Sequence, residues 1–130
     1  MESKRVLIVA HRSVATPSLI EELKRRADSG PVELALLIPD ASDPAIAAWT
    51  LRRARRMLTR EVGVPVDGIV AEGDDPYTGV AAALRHQAYD EIVMSTLPPP
   101  GSRWLAEDLP ARVEALGIPV TVVTSTPVPS

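Results

Sequence analysis

Apolar residues gather into five short runs along the chain: residues 6–10, Val32–Ile38, residues 66–71, residues 92–94 with their flanks, and residues 119–123. Most runs are nearly continuous rather than alternating, the pattern of strands covered on both faces. In the gaps between them the spacing changes to that of helices. Leu19, Leu23 and Ala27 fall on one face with Ile20 beside them. Ala47, Leu51, Ala54 and Leu58 form a second stripe, and Val80, Ala83 and Leu84 a third.

The helix ends are marked as clearly as the faces. Thr16-Pro17, Asp43-Pro44 and Asp75-Pro76 each set a capping oxygen before a proline at the first helical position. Gly30-Pro31 stops the first helix and Gly63 the second. The fourth helical segment is irregular. Ser102 caps a turn through Trp104 and Leu105, and Asp108 caps a second piece over residues 109–116. Pro110 is tolerated there because it lies in the first turn, and Gly117 ends the piece.

Strands alternating with helices of this length predict right-handed βαβ units, hence an α/β domain with one parallel sheet and helices on both faces. At 130 residues a single domain suffices. It is expected over residues 1–124, followed by a mobile tail over 125–130 that carries two prolines and no core pattern.

Composition narrows the function classes. Phenylalanine is absent, so the core must come from Val, Ile, Leu and Ala. A formal net charge of −3 disfavours a general nucleic-acid binder, which needs a basic surface. With no cysteine, disulfides, thiol catalysis and thiolate metal sites are excluded. The apolar run after Lys4-Arg5 is too short for a signal peptide or a membrane span, so a cytoplasmic protein without membrane attachment is expected.

In an open parallel sheet, ligands lie beyond the carboxyl ends of the strands, where the strand order reverses. His11, Arg12 and Ser13 follow the first strand, and Ser95 and Thr96 end the fourth, with Gly101, Ser102 and Arg103 after them. If those two strands are neighbours, the eight residues converge on one crevice rich in donors and poor in carboxylates. A helix start at 101–103 would present unpaired amides and partial positive charge to an anion, and Arg103 could fork onto two oxygens. The alternative is a rigid surface loop with Arg103 solvated.

Other features have plainer readings. Asp40, Asp43, Glu72, Asp74 and Asp75 could hold a hard cation, but two of them are accounted for as caps, so no metal is expected. His11 could be catalytic only with a nucleophile such as Ser13, Ser95 or Ser102; no Gly-x-Ser-x-Gly elbow is present, and no catalytic residue is assigned. Arg52, Arg53, Arg55, Arg56 and Arg60 read as a solvated helix face, with docking of acidic partners or nucleic acid as the alternative. Trp49 is expected to pack, with a partly exposed contact residue as the alternative, and His86 suits the end of the third helix.

The layout resembles the universal stress protein family over nearly the whole chain. The residues that carry it are Arg5-Val6-Leu7-Ile8-Val9-Ala10 leading to Ser13, Gly73-Asp74 after the third strand, Tyr89-Asp90-Glu91-Ile92-Val93-Met94, and Ile118-Pro119-Val120 entering the last strand. The resemblance implies a Rossmann-like doubly wound sheet in the order 3-2-1-4-5, a homodimer paired through the last edge strand, and a role in stress response. ATP-binding members usually carry an acidic residue where this chain has His11, and glycines where it has Pro98, Pro99 and Pro100. The expectation is therefore a binding module for a small anionic ligand or nucleotide, such as ATP or AMP, with no cofactor fixed. A ligand-free dimeric interaction domain is the alternative, and a phosphate-ester hydrolase ranks last.

Overall fold

The computed structural model describes residues 4–10, 17–38, 44–70, 76–96 and 109–124. In chain order they form β1 (Lys4–Val9), α1 (Pro17–Ser29), β2 (Val32–Ile38), α2 (Pro44–Val62), β3 (Val66–Val70), α3 (Pro76–His86), β4 (Glu91–Thr96), α4 (Leu109–Glu114) and β5 (Val120–Thr124). All strand pairs are parallel, and the sheet runs β3-β2-β1-β4-β5. This is the doubly wound Rossmann-like α/β order.

Strand pleating sends successive side chains to opposite faces, and the core divides accordingly. Val6 and Ile8 of β1 and Ala10 just after it lie with Leu34, Leu36 and Ile38 of β2 and Val93 of β4. Leu19 and Leu23 of α1 and Leu51, Ala54 and Leu58 of α2 cover them. On the other face, Leu7, Val9, Ala35, Leu37, Ile92 and Met94 meet Val80 and Ala83 of α3 and Leu109 and Val113 of α4. The central strands read as continuous apolar runs because both faces are covered. Each fully buried Leu or Ile contributes about 2 kcal/mol. At the sheet margins cover is thinner: Asp67 and Gly68 of β3 are exposed, as is Val122 of β5.

The stop signals act through backbone geometry. Gly63 has φ 83°, left-handed backbone that suits glycine, and its amide donates to the Thr59 carbonyl at 2.9 Å. Gly117 has φ 95° and its amide donates to the Glu114 carbonyl at 3.0 Å. α4 is shorter than its sequence pattern. It ends at Glu114, because the Leu116 amide bonds back three residues to Val113 and tightens the chain out of the α-helical path. The expected turn through Trp104 and Leu105 and the tail at 125–130 lie outside the described residues. Among the described residues no helix is long and apolar enough to cross a membrane.

Candidate functional site

From β1 the chain winds outward through β2 and β3, then returns to lay β4 against the other side of β1. The reversal therefore falls between β1 and β4, with α1 on one face and α4 on the other; ligands of open parallel sheets commonly lie at such a switch point. The register sets Val9 opposite Met94, both fully buried. Ala10 and Ser95 lie one residue beyond them. Ala10 is fully buried and its amide donates to the Leu37 carbonyl at 3.3 Å. Ser95 is 1% exposed, and by strand alternation it shares the face of Val93 and Ala10, beneath α1. Pairing continues outward as Ser95 with Val123 and Thr96 with Thr124.

The strand order thus brings together the two strand ends on which the expected site depends. Of the eight candidate residues, Ser95 is described with its side chain, and Thr96 is described as the last residue of β4. His11, Arg12, Ser13, Gly101, Ser102 and Arg103 lie outside the described residues, as do Asp40, Asp43, Glu72, Asp74 and Asp75. Among the described residues no cluster of His, Asp or Glu could hold a metal ion.

The opposite, amino edge of the sheet carries a charge cluster that the sequence reading missed. Glu91, the first residue of β4, is buried. Arg26 of α1 forks onto it, Nε to Oε1 at 2.7 Å and Nη2 to Oε2 at 3.0 Å. The same guanidinium donates to the Glu22 carbonyl and carboxylate at 3.0 and 2.8 Å, and to Thr121 Oγ1 of β5 at 3.3 Å. Lys4 Nζ of β1 lies 3.1 Å from Glu91 Oε1. The bond from Arg26 holds the Glu91 carboxyl below its usual range against the opposing effect of burial, and the bond to Glu91 raises Arg26 above its own. A signal was present: Arg26 falls three residues after Leu23, on the buried face of α1, and Glu91 opens an apolar strand. A buried cation and a buried carboxylate each need a partner.

On α2 the structure corrects two readings. Trp49 does not pack into the core; it is 52% exposed, with the Arg53 guanidinium 4.8 Å over its ring. Two residues before Leu51, it points nearly opposite the buried stripe, since each helical residue turns about 100°. Arg55 is not simply solvated. Its Nε donates to the Val66 carbonyl of β3 at 2.8 Å, and its stem fills the space over Gly68, where an added Cβ would lie 2.6 Å from Arg55 Cδ. Beside it, Arg52, Arg55, Arg56, Thr59, Arg60 and Val66 line an open groove of about 430 Å³.

With this geometry in view, the chain is similar to several solved structures. A universal stress protein from Archaeoglobus fulgidus superposes with TM-score 0.62 at 16% identity, covering 95% of this chain and 96% of its own. A universal stress protein solved in complex with cAMP gives TM-score 0.56 at 14% identity, covering 95% and 99%. A protein of the same family from Burkholderia pseudomallei gives 0.58 at 21%, covering 94% and 96%. No family model matches the sequence, and no curated protein matches it.

Proposed function

We propose that this chain, which has the universal stress protein fold, is a binding module for a small anionic ligand or nucleotide. The ligand lies in the crevice between the carboxyl ends of β1 and β4. His11, Arg12, Ser13, Ser95 and Thr96 line it, and Gly101, Ser102 and Arg103 supply the anion contacts. The observation that carries this reading is the direct pairing of β1 with β4 up to Val9 and Met94, with the buried hydroxyl residue Ser95 one step further on. A neighbour of the same fold solved in complex with cAMP supports a nucleotide as the ligand class. Backbone amides, serine hydroxyls and a forked arginine suit phosphate oxygens without any metal. Calorimetric titration with ATP, AMP, cAMP and phosphate tests it: at least one nucleotide binds, and an Arg103→Ala protein binds it more weakly. Absence of binding to all four rejects the reading.

A second reading is favoured by the outer edge of the sheet. Val122 on β5, 39% exposed, sits on a strand that pairs, among the described residues, with β4 alone, and such an edge invites a second strand. In this reading the domain forms a homodimer through β5 and acts as an interaction partner. Sedimentation velocity then shows a dimer that Val122→Lys converts to monomer.

A further inference from the structure

The arginines of α2 differ from the other helical charges of the molecule. On α1, exposed Arg25 pairs with Glu22 at 3.3 Å, as charges on a solvated helix commonly do, and part-buried Arg26 pairs with Glu22 at 2.8 Å and with Glu91 at 2.7 Å. α2 carries five arginines against one carboxylate, Glu61. The contact between Arg60 and Glu61, at 3.9 Å, is the one ion pair of α2 among the described residues. Arg52 and Arg56, and Arg56 and Arg60, stand four residues apart, so like charges face each other along the helix. Two of the five are held in place by their own contacts, Arg55 on the Val66 carbonyl and Arg53 on the Trp49 ring. That restraint reduces the ordering cost of engaging a ligand.

We propose that the groove between α2 and β3, lined by Arg52, Arg55, Arg56 and Arg60, docks a short acidic segment of a partner protein. Guanidinium forks match carboxylates in pairs. Arg52 to Arg60 spans eight residues of helix, about 12 Å, which an extended peptide covers in about four residues. The balance of charge elsewhere selects a short ligand. Outside α2 the chain has nine basic and sixteen acidic residues, so a long nucleic acid would leave the basic island and meet a repelling surface. This site is separate from the crevice at β1 and β4 and does not depend on it.

The test uses the full chain and a fluorescein-labelled octaglutamate peptide, read by anisotropy at low ionic strength. The peptide binds, and the Arg52→Glu/Arg56→Glu double variant weakens binding at least about tenfold. An Arg25→Glu variant, altered on a different helix, changes it less than about twofold. A charge-matched oligothymidylate binds less tightly than octaglutamate. Failure of octaglutamate to bind, or equal loss in the Arg25→Glu protein, overturns the proposal. Tighter binding of oligothymidylate also overturns it and assigns the groove to nucleic acid instead.

Discussion

At the amino edge of the sheet, Lys4, Glu22, Arg26, Glu91 and Thr121 satisfy one another directly. At the carboxyl edge, the central strands end on Val9 and Thr96, and the cations Arg12 and Arg103 stand further along the sequence. The first arrangement is closed. Its carboxylates are taken by its own guanidinium and ammonium groups, so it ties α1, β1, β4 and β5 together and offers little to a ligand. The second sits where parallel-sheet topology opens a crevice. One sheet thus uses charge for cohesion at one end and, in the proposed reading, for recognition at the other.

Mutations that act at only one edge break or sharpen this contrast. The largest effect is expected from Arg26→Ala. Removing the forked guanidinium leaves the buried Glu91 carboxylate to Lys4, a loss of up to about 3 kcal/mol, visible as a lower urea midpoint while nucleotide affinity stays unchanged. Arg103→Ala is expected to do the reverse. It costs about 1.5–3 kcal/mol of ligand binding, with the unfolding free energy changed by less than about 0.5 kcal/mol.

A smaller effect follows from acid. The folded-state pKa of Glu91 lies below its unfolded value, so the unfolded chain takes up the proton first as pH falls. The stability contributed by Glu91 is complete above the unfolded carboxylate range and is lost as pH falls through the folded pKa. Urea melts at pH 7 and in mild acid therefore diverge for the wild type, and diverge less for Arg26→Ala. Smallest of all is Arg5→Ala. Its partner Glu33 is 2.9 Å away but both side chains are about half exposed, so the loss stays below about 1 kcal/mol.

How much of this was legible in the sequence differs from element to element. β2 was placed to the residue, because Val32–Ile38 is an unbroken apolar run between Gly30-Pro31 and Pro39. The three Pro-started helices were equally plain, since proline at the first helical position is a local signal. The pairing of β1 with β4 is not local; it came through the family resemblance, and the structure bears it out. Trp49 misleads because an aromatic residue on a helix suggests packing, whereas its angle from Leu51 turns it to solvent. The Arg26–Glu91 bridge joins residues 65 apart in sequence, and pairing over such a distance leaves no spacing to read. Of the proposed crevice, the sequence supplies residue types and the sheet supplies the adjacency of two strand ends. The contacts with a ligand depend on residues beyond those ends.

The most direct test of the central claim is an amide chemical-shift titration of the uniformly labelled protein with cAMP and ATP. The account predicts saturable shifts at Ala10, Ser95 and Thr96 and in the segments 11–13 and 101–103, with Lys4, Arg26 and Glu91 unmoved. Shifts confined to the amino edge or to α2, or none with either nucleotide, would contradict it.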